Sequence, residues 1–225
     1  MANVLLSTML TRVRTRADMP VAGFLTDAEI VDYINEGVQI LHEKLVRAHE
    51  ADYTEKSASF TLDSSGEASL PADFMKVYGV ELSDTSGGKR TVLPYKRAER
   101  NALSSAPFSS TRAPRYKLSA GKLRVLPATS VSGKTGTIWY APVATLYAAA
   151  TPSGNVDFLN GWERYVVVYA AIQCLLKEES DTRPLENMLA MMDKQLDEAI
   201  SNRDAGHSNH AVDVENINDW EFWTL

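Results

Sequence analysis

The chain has 225 residues and a mass of 24.8 kDa, room for one to two domains. Hydrophobic residues make up 44% and charged residues 23%, which excludes a mainly disordered chain, and the net charge of −6 is mild for this size. The longest apolar run, Tyr165 to Ile172, is eight residues against the roughly 20 that a membrane-spanning helix needs, and the single cysteine, Cys174, excludes an internal disulfide or a cysteine-rich zinc site.

In chain order, Val4, Leu5, Met9, Leu10 and Val13 recur at spacings near three and four and predict a short amphipathic helix to about Asp18. Basic residues (Arg12, Arg14, Arg16) follow this apolar stretch instead of preceding it, so no secretory signal and no membrane partner are expected. Pro20 and Gly23 break the helix. Thr26-Asp27-Ala28-Glu29 has the form of a capping box, in which the Thr and Glu side chains each satisfy a backbone N–H of the first turn. Behind it Ile30, Ile34, Val38, Leu41 and Leu45 form one apolar stripe on a helix reaching about Ala51, with Asp32, Glu36, Glu43, Arg47 and Glu50 opposite.

The texture then changes to short strands. Tyr53 to Leu62 alternates with period two; Asp63-Ser64-Ser65-Gly66 is turn chemistry; Lys76 to Leu82 is a strand that returns through Arg90 to Leu93 after Ser86-Gly87-Gly88. Arg97 to Leu103 has room for a helical turn or two, and Ser104 to Pro114 is a loop. Tyr116 to Leu118 and Leu123 to Leu126, joined at Ala120-Gly121, read as a compact hairpin, and Thr135 to Ala141 as a further strand. Five to seven strands predict a small barrel or sandwich. Helices return after Pro152-Ser153-Gly154. Trp162 to Lys177 is apolar nearly all round and so is buried on most sides, and a last helix starting near Pro184 carries Leu185, Met188, Leu189, Met192, Leu196 and Ile200, with Gly206 as its stop. The expected fold class is α+β: a helical bundle scaffold (1–52 and 151–205) with an inserted small antiparallel β barrel or sandwich (53–150) and an extended C-terminal tail (206–225).

Charge is segregated. Between Asp84 and Lys134 eleven basic residues face two acidic ones, whereas from Asn155 onward five basic face fourteen acidic. Either the basic middle meets the acidic ends of the same chain or of a copy, or it faces a polyanion.

Signals for bond chemistry are weak. Gly133-Lys134-Thr135 resembles the end of a phosphate-binding loop, but Ala128 stands where that loop needs a Gly and a strand pattern follows where it needs a helix, so a turn is expected. Gly206 to His210 lacks the final Gly of a nucleophile elbow; His207, His210 and Asp213 have spacing open to a metal but read as a solvated stretch. His42 and His49 read as helix-surface or interface residues. Glu178, Glu179 and Asp181 gather at a helix end, where solvation and capping compete with a cation site or a catalytic pair. Cys174 lies among apolar neighbours and reads as an inert core residue; Arg12 and Arg16 share a helix face that Arg14 does not. No catalytic residue, metal or cofactor is expected. Trp220, Phe222 and Trp223 stand beside Asp219 and Glu221; three aromatics so close need a surface, on their own domain or on another protein.

The order of these phrases carries a resemblance. The capped helix from Thr26 to Gly37, the Leu70-Pro71-Ala72-Asp73-Phe74-Met75-Lys76-Val77 turn, the Pro114 to Pro127 hairpin, Trp139-Tyr140-Ala141-Pro142, Trp162 to Ala171 and Lys177 to Asp181 resemble the head–tail connector (adaptor) proteins of tailed bacteriophages. The layout over about residues 3 to 205 is similar to the tail tubular/gatekeeper group of short-tailed phages. The resemblance implies a virion protein of the neck, assembled in the host cytoplasm: a self-associating ring, typically of twelve copies, docked under the portal protein, with double-stranded DNA passing through its channel and a downstream tail or neck protein below. It implies that 213–225 docks on the portal, which would engage Val214, Ile217, Trp220, Phe222, Trp223 and Leu225. It also implies that Lys89, Arg90, Lys96, Arg97, Arg112, Arg115, Lys117, Lys122 and Arg124 face a neighbouring subunit, the tail or DNA.

Two rival functions remain. One is a nucleic-acid-binding module that uses the basic β region, with Tyr95, Phe108, Tyr116, Trp139 and Tyr140 as stacking rings. The other is a hydrolase built on Glu178, Glu179 and Asp181.

Overall fold

A computed structural model describes residues 4–19, 23–47, 54–83, 88–99, 113–151, 153–157, 159 and 161–202. The first helix, α1 (Leu6–Arg16), buries Leu6, Met9, Leu10 and Val13 along one face. The two residues before it are not helical: β1 (Val4–Leu5) pairs antiparallel with β10 (Asn155–Val156), tying the start of the chain to the segment before the later helices. That pairing is invisible locally, because Val4 and Leu5 fit the helical spacing equally well.

Helix α2 (Asp27–Arg47) begins at the expected capping box. The Glu29 N–H donates to Thr26 Oγ1 at 3.3 Å and the Thr26 N–H donates back to Glu29 Oε2 at 3.0 Å. Its apolar stripe is fully buried, from Ile30 through Ile34, Val38 and Leu41 to Leu45. Each such side chain contributes roughly 1.5–3 kcal/mol on leaving water. Helix α4 (Glu163–Lys177) packs on α2 and is buried nearly all round, as its sequence predicts. Close approach is possible because Gly37 offers no side chain: a Cβ there would lie 3.1 Å from Tyr169 Cδ1 and 3.2 Å from Val166 Cγ1. Helix α5 (Arg183–Asn202) covers α4 through Met192, Leu196 and partly buried Leu185, Met188 and Leu189. One apolar cluster thus joins the first helices to the last two.

Among the described residues eight strands lie between. One sheet has the order β2 (Lys56–Thr61), β9 (Thr135–Pro142), β4 (Phe74–Ser83), β5 (Lys89–Thr91) and is antiparallel throughout. The other has the order β3 (Glu67–Ser69), β8 (Lys122–Leu126), β7 (Arg115–Ser119), β6 (Leu93–Pro94). Their apolar faces share a second cluster, with Phe60, Val80, Leu82, Ile138 and Tyr140 from one sheet against Ala68, Leu123 and Val125 from the other. Among the described residues neither sheet closes into a barrel. Nor is the region wholly antiparallel, because β6 runs parallel to β7. The chain leaves β5, passes through buried Val92 whose N–H donates to the Val80 carbonyl, and joins the opposite sheet at once; residues 95–114 then supply the long connection a parallel pair requires. Between β7 and β8 the turn residues Ala120 and Gly121 both have positive φ, 50° and 72°, the two-residue hairpin geometry the sequence predicts.

The short helix α3 (Ala128–Val131) has no counterpart in the sequence reading. Gly133, at φ 72°, turns the chain into β9, so Gly133-Lys134-Thr135 opens a strand as expected. Polar contacts of α2 tie both the segment after β9 and the β region to the helical body. Asn35 exchanges two hydrogen bonds with the Tyr147 backbone, at 3.0 and 2.9 Å, and Lys76 Nζ donates to the Val46 carbonyl at 2.9 Å.

Candidate functional site

Register decides which basic side chains of the β region come together. On β8 the burial alternates, with Leu123 and Val125 inward and Lys122 and Arg124 outward. Residues directly opposite across a ladder point to the same side. Lys117 therefore stands beside Arg124, and Arg115 opposite Leu126, on the same outer face. Across the other edge Glu67 lies opposite Arg124. The outer face of this sheet thus gathers Arg115, Lys117, Lys122 and Arg124 around Glu67, with Asp63 beside it.

Glu67 pairs with Lys122 at 3.1 Å and with Arg124 at 3.7 Å. Next to it Asp63 is held below the usual carboxylate range, first by the Glu67 backbone N–H and then by that of Ser65, with Lys122 and Arg124 adding to the effect. Lys117 Nζ lies over the Tyr95 ring, 5.6 Å from its centre. Exposed pairs of this kind contribute little to stability. Tyr95 is among the rings the sequence places with the basic region, whereas Glu67 is missed as a partner of this face; its signal is register, which a sequence does not display.

The other basic residues point elsewhere. Lys89, on the edge strand β5, reaches Glu81 at 3.7 Å on the outer side of the first sheet. Arg90 stands opposite Leu82 at the same edge. Lys96 and Arg97 are exposed just beyond β6, Arg97 in a 3-10 turn, and Arg112 lies outside the described residues. Of the proposed stacking rings, Tyr140 is buried and donates to Asp73 Oδ1 at 2.8 Å. Its hydroxyl is pushed up to about 12, by burial first and then by Asp73. Tyr116 packs against the β core. Phe108 lies outside the described residues, and Trp139 is half-buried.

The carboxylates after α4 are exposed and locally engaged. Asp181 accepts from the Arg183 N–H at 3.1 Å and from Arg183 Nε at 2.9 Å, and Glu178 accepts from Ser180 Oγ at 3.1 Å. Thr182 caps α5, its carbonyl accepting from the Leu185 and Glu186 N–H groups. Among the described residues no group of three or more His, Cys, Asp or Glu is placed to hold a metal ion. Cys174 is buried, and burial pushes its thiol up to about 11.

His42, read as a helix-surface or interface residue, lies at the interface of α2 with β9. It is buried, with Nε2 hydrogen-bonded to the Pro142 carbonyl at 2.6 Å, and burial lowers its pKa. His49, His207, His210 and Asp213 lie outside the described residues, as do the aromatics Trp220, Phe222 and Trp223 with Val214, Ile217 and Leu225. On α1, Arg14 turns inward to Asp27 Oδ1 at 2.7 Å and the Leu25 carbonyl at 3.0 Å, while Arg12 and Arg16 stay exposed.

The family comparison gives the class of this mixed α/β body: a structural adaptor of a bacteriophage. A model of the SU10 adaptor protein family matches residues 5–213, spanning both helical parts and the whole β region, and the chain belongs to that family. Membership makes it a virion component that contacts other phage head and tail proteins. No curated protein matches the chain. Among the described residues no helix is long and apolar enough to cross a membrane.

Proposed function

We propose that this adaptor is a head–tail connector. Copies close into a ring of about twelve that docks under the portal, continues the DNA channel and offers the tail its attachment surface. The observation that carries the reading is the family match over residues 5–213, because it takes in scaffold and β region together. The ring itself rests on the likeness in layout to the tail tubular/gatekeeper group, as do docking of 213–225 on the portal and assembly in the host cytoplasm.

The charge distribution supports a heterologous, head-to-tail contact. The outer face carrying Arg115, Lys117, Lys122 and Arg124 is positive. The surface from the end of α4 along α5 is rich in acid, with Glu178, Glu179, Asp181, Glu186 and Asp197 exposed. Such complementarity sets orientation and encounter rate more than affinity. On this reading the protein works by shape and charge, and no bond is made or broken. The test is to mix the full chain with its purified portal and image the product. A closed ring on the portal, lost when residues 213–225 are deleted from a chain that keeps its circular dichroism, supports the reading. Attachment that survives the deletion removes the docking role.

A second reading keeps one observation in its favour: four basic side chains share a sheet face with Tyr95, the arrangement of a polyanion-binding surface. It requires salt-sensitive binding of DNA by the isolated chain.

A further inference from the structure

Arg12 and Arg16 are four residues apart on α1 and so lie on one face, and Arg164 opens α4 beside them. Where the two helices meet, an open groove of ≈ 560 Å³ is lined by these three arginines with Glu163, Thr11, Thr15 and Val167. Its guanidiniums are poorly matched. Arg16 Nη1 lies 3.2 Å and Arg164 Nη2 lies 3.7 Å from Met188 Sδ on α5, and a thioether is a weak acceptor. Arg12 reaches Glu163 only at 3.9 Å. The α4 N-cap, Trp162, makes no side-chain cap, so the positive end of that helix dipole faces the same region. Three cations against one carboxylate, beside threonine methyls and Val167, suit an occupant that is acidic and partly apolar.

The chain carries such a segment. Residues 213–225 contain Asp213, Glu215, Asp219 and Glu221 with Trp220, Phe222 and Trp223, and no basic residue. Reach is sufficient. From Met188 to Asn202 α5 rises about 21 Å at 1.5 Å per residue, while residues 203–212 span about 33 Å when extended.

We propose that the segment 213–225 seats in the α1–α4 groove of its own chain before assembly. Carboxylates replace the thioether as partners of Arg16 and Arg164, in charge-assisted and bidentate contacts, and the indoles stack on guanidinium planes. Resting on the portal-docking role proposed above, this seating covers the docking residues until a partner competes for them. This inference does not depend on the ring, and it stands or falls separately.

The test places a photoreactive side chain in the full-length protein, Phe222→benzoylphenylalanine, and maps cross-links by mass spectrometry in dilute solution. The expected result is intramolecular cross-linking to 11–16 and 163–167. Its yield should fall on the order of tenfold in Arg16→Glu/Arg164→Glu, the change expected when about 1.4 kcal/mol of contact is lost. Adding Asp219→Lys/Glu221→Lys to that variant should restore it by exchanging the charges. Cross-links confined to another surface, a yield indifferent to the arginine changes, no recovery in the charge exchange, or cross-linked dimers alone would each overturn the proposal. Circular dichroism of every variant separates these outcomes from unfolding.

Discussion

Substituting Gly136 by alanine isolates how tightly the first sheet is packed. Gly136 sits near the start of β9, paired on both sides, opposite Phe60 on β2 and Leu82 on β4. An added Cβ would lie 2.6 Å from Phe60 Cζ and closer still to the Glu81 carbonyl oxygen. The ring can tilt, but the carbonyl belongs to β4 and moves only with its ladder. Overpacking of a core costs typically about 1–3 kcal/mol, and a clash with backbone belongs at the upper end of that range. Replacing glycine in a strand returns about 0.5–1 kcal/mol of chain entropy. The net loss is therefore about 2 kcal/mol, or roughly 4–8 °C in Tm for a chain of this size. Gly79→Ala is the internal control: the same substitution in the adjacent strand meets nothing nearer than Trp139 Cδ1 at 3.9 Å and should leave Tm within about 2 °C. Thermal unfolding followed by circular dichroism reads both. If the two variants melt together, the packing assigned to β9 is wrong.

Three further outcomes are expected. His42 is buried and its pKa is lowered by burial, so the unfolded chain binds the proton more readily. Stability is then full above about 6.5 and falls as the pH drops below it; His42→Gln, still able to donate to the Pro142 carbonyl, should give a flatter urea-denaturation profile between pH 7.5 and 5.5. The Tyr140 hydroxyl, raised to about 12, contributes stability that is present below the ordinary value near 10 and is lost as pH rises between those values. Tyr140→Phe should lose about 1 kcal/mol at pH 7 and show no such alkaline loss; an identical alkaline profile would remove the Tyr140–Asp73 contact from the account. Lys117→Glu/Arg124→Glu should leave the melting curve near that of the wild type yet prevent self-assembly on the portal, scored by negative-stain imaging, and rings of normal yield would show that this face makes no contact.

Local chemistry carried the helices. The Thr26–Glu29 box, the Ile30 to Leu45 stripe and the all-round apolar α4 have periods of three to four residues, and the residues that interact are neighbours in the chain. The Ala120-Gly121 turn is similarly local, since its backbone conformation follows from two residues. What the sequence could not display depends on partners far away. Val4 and Leu5 leave the helix because Val156 and Asn155 offer a ladder, and β6 joins the opposite sheet because Val92 turns into the shared core. The basic segment looked continuous in the chain, yet pleating and register divide it: Lys122, Arg124, Lys117 and Arg115 share one face, while Lys89 belongs to the other sheet. His42 shows the same effect at one residue. Its helix position left surface and interface both open, and the β region, a hundred residues on, brings Pro142 against it.

The most direct test of the connector reading is to image the neck of purified virions at a resolution that shows helices. The account predicts a closed ring of this chain between portal and tail, with α2 and α4 packed as described and the channel running through its centre. A neck from which the chain is absent, or one holding it as isolated copies off the channel axis, would contradict it.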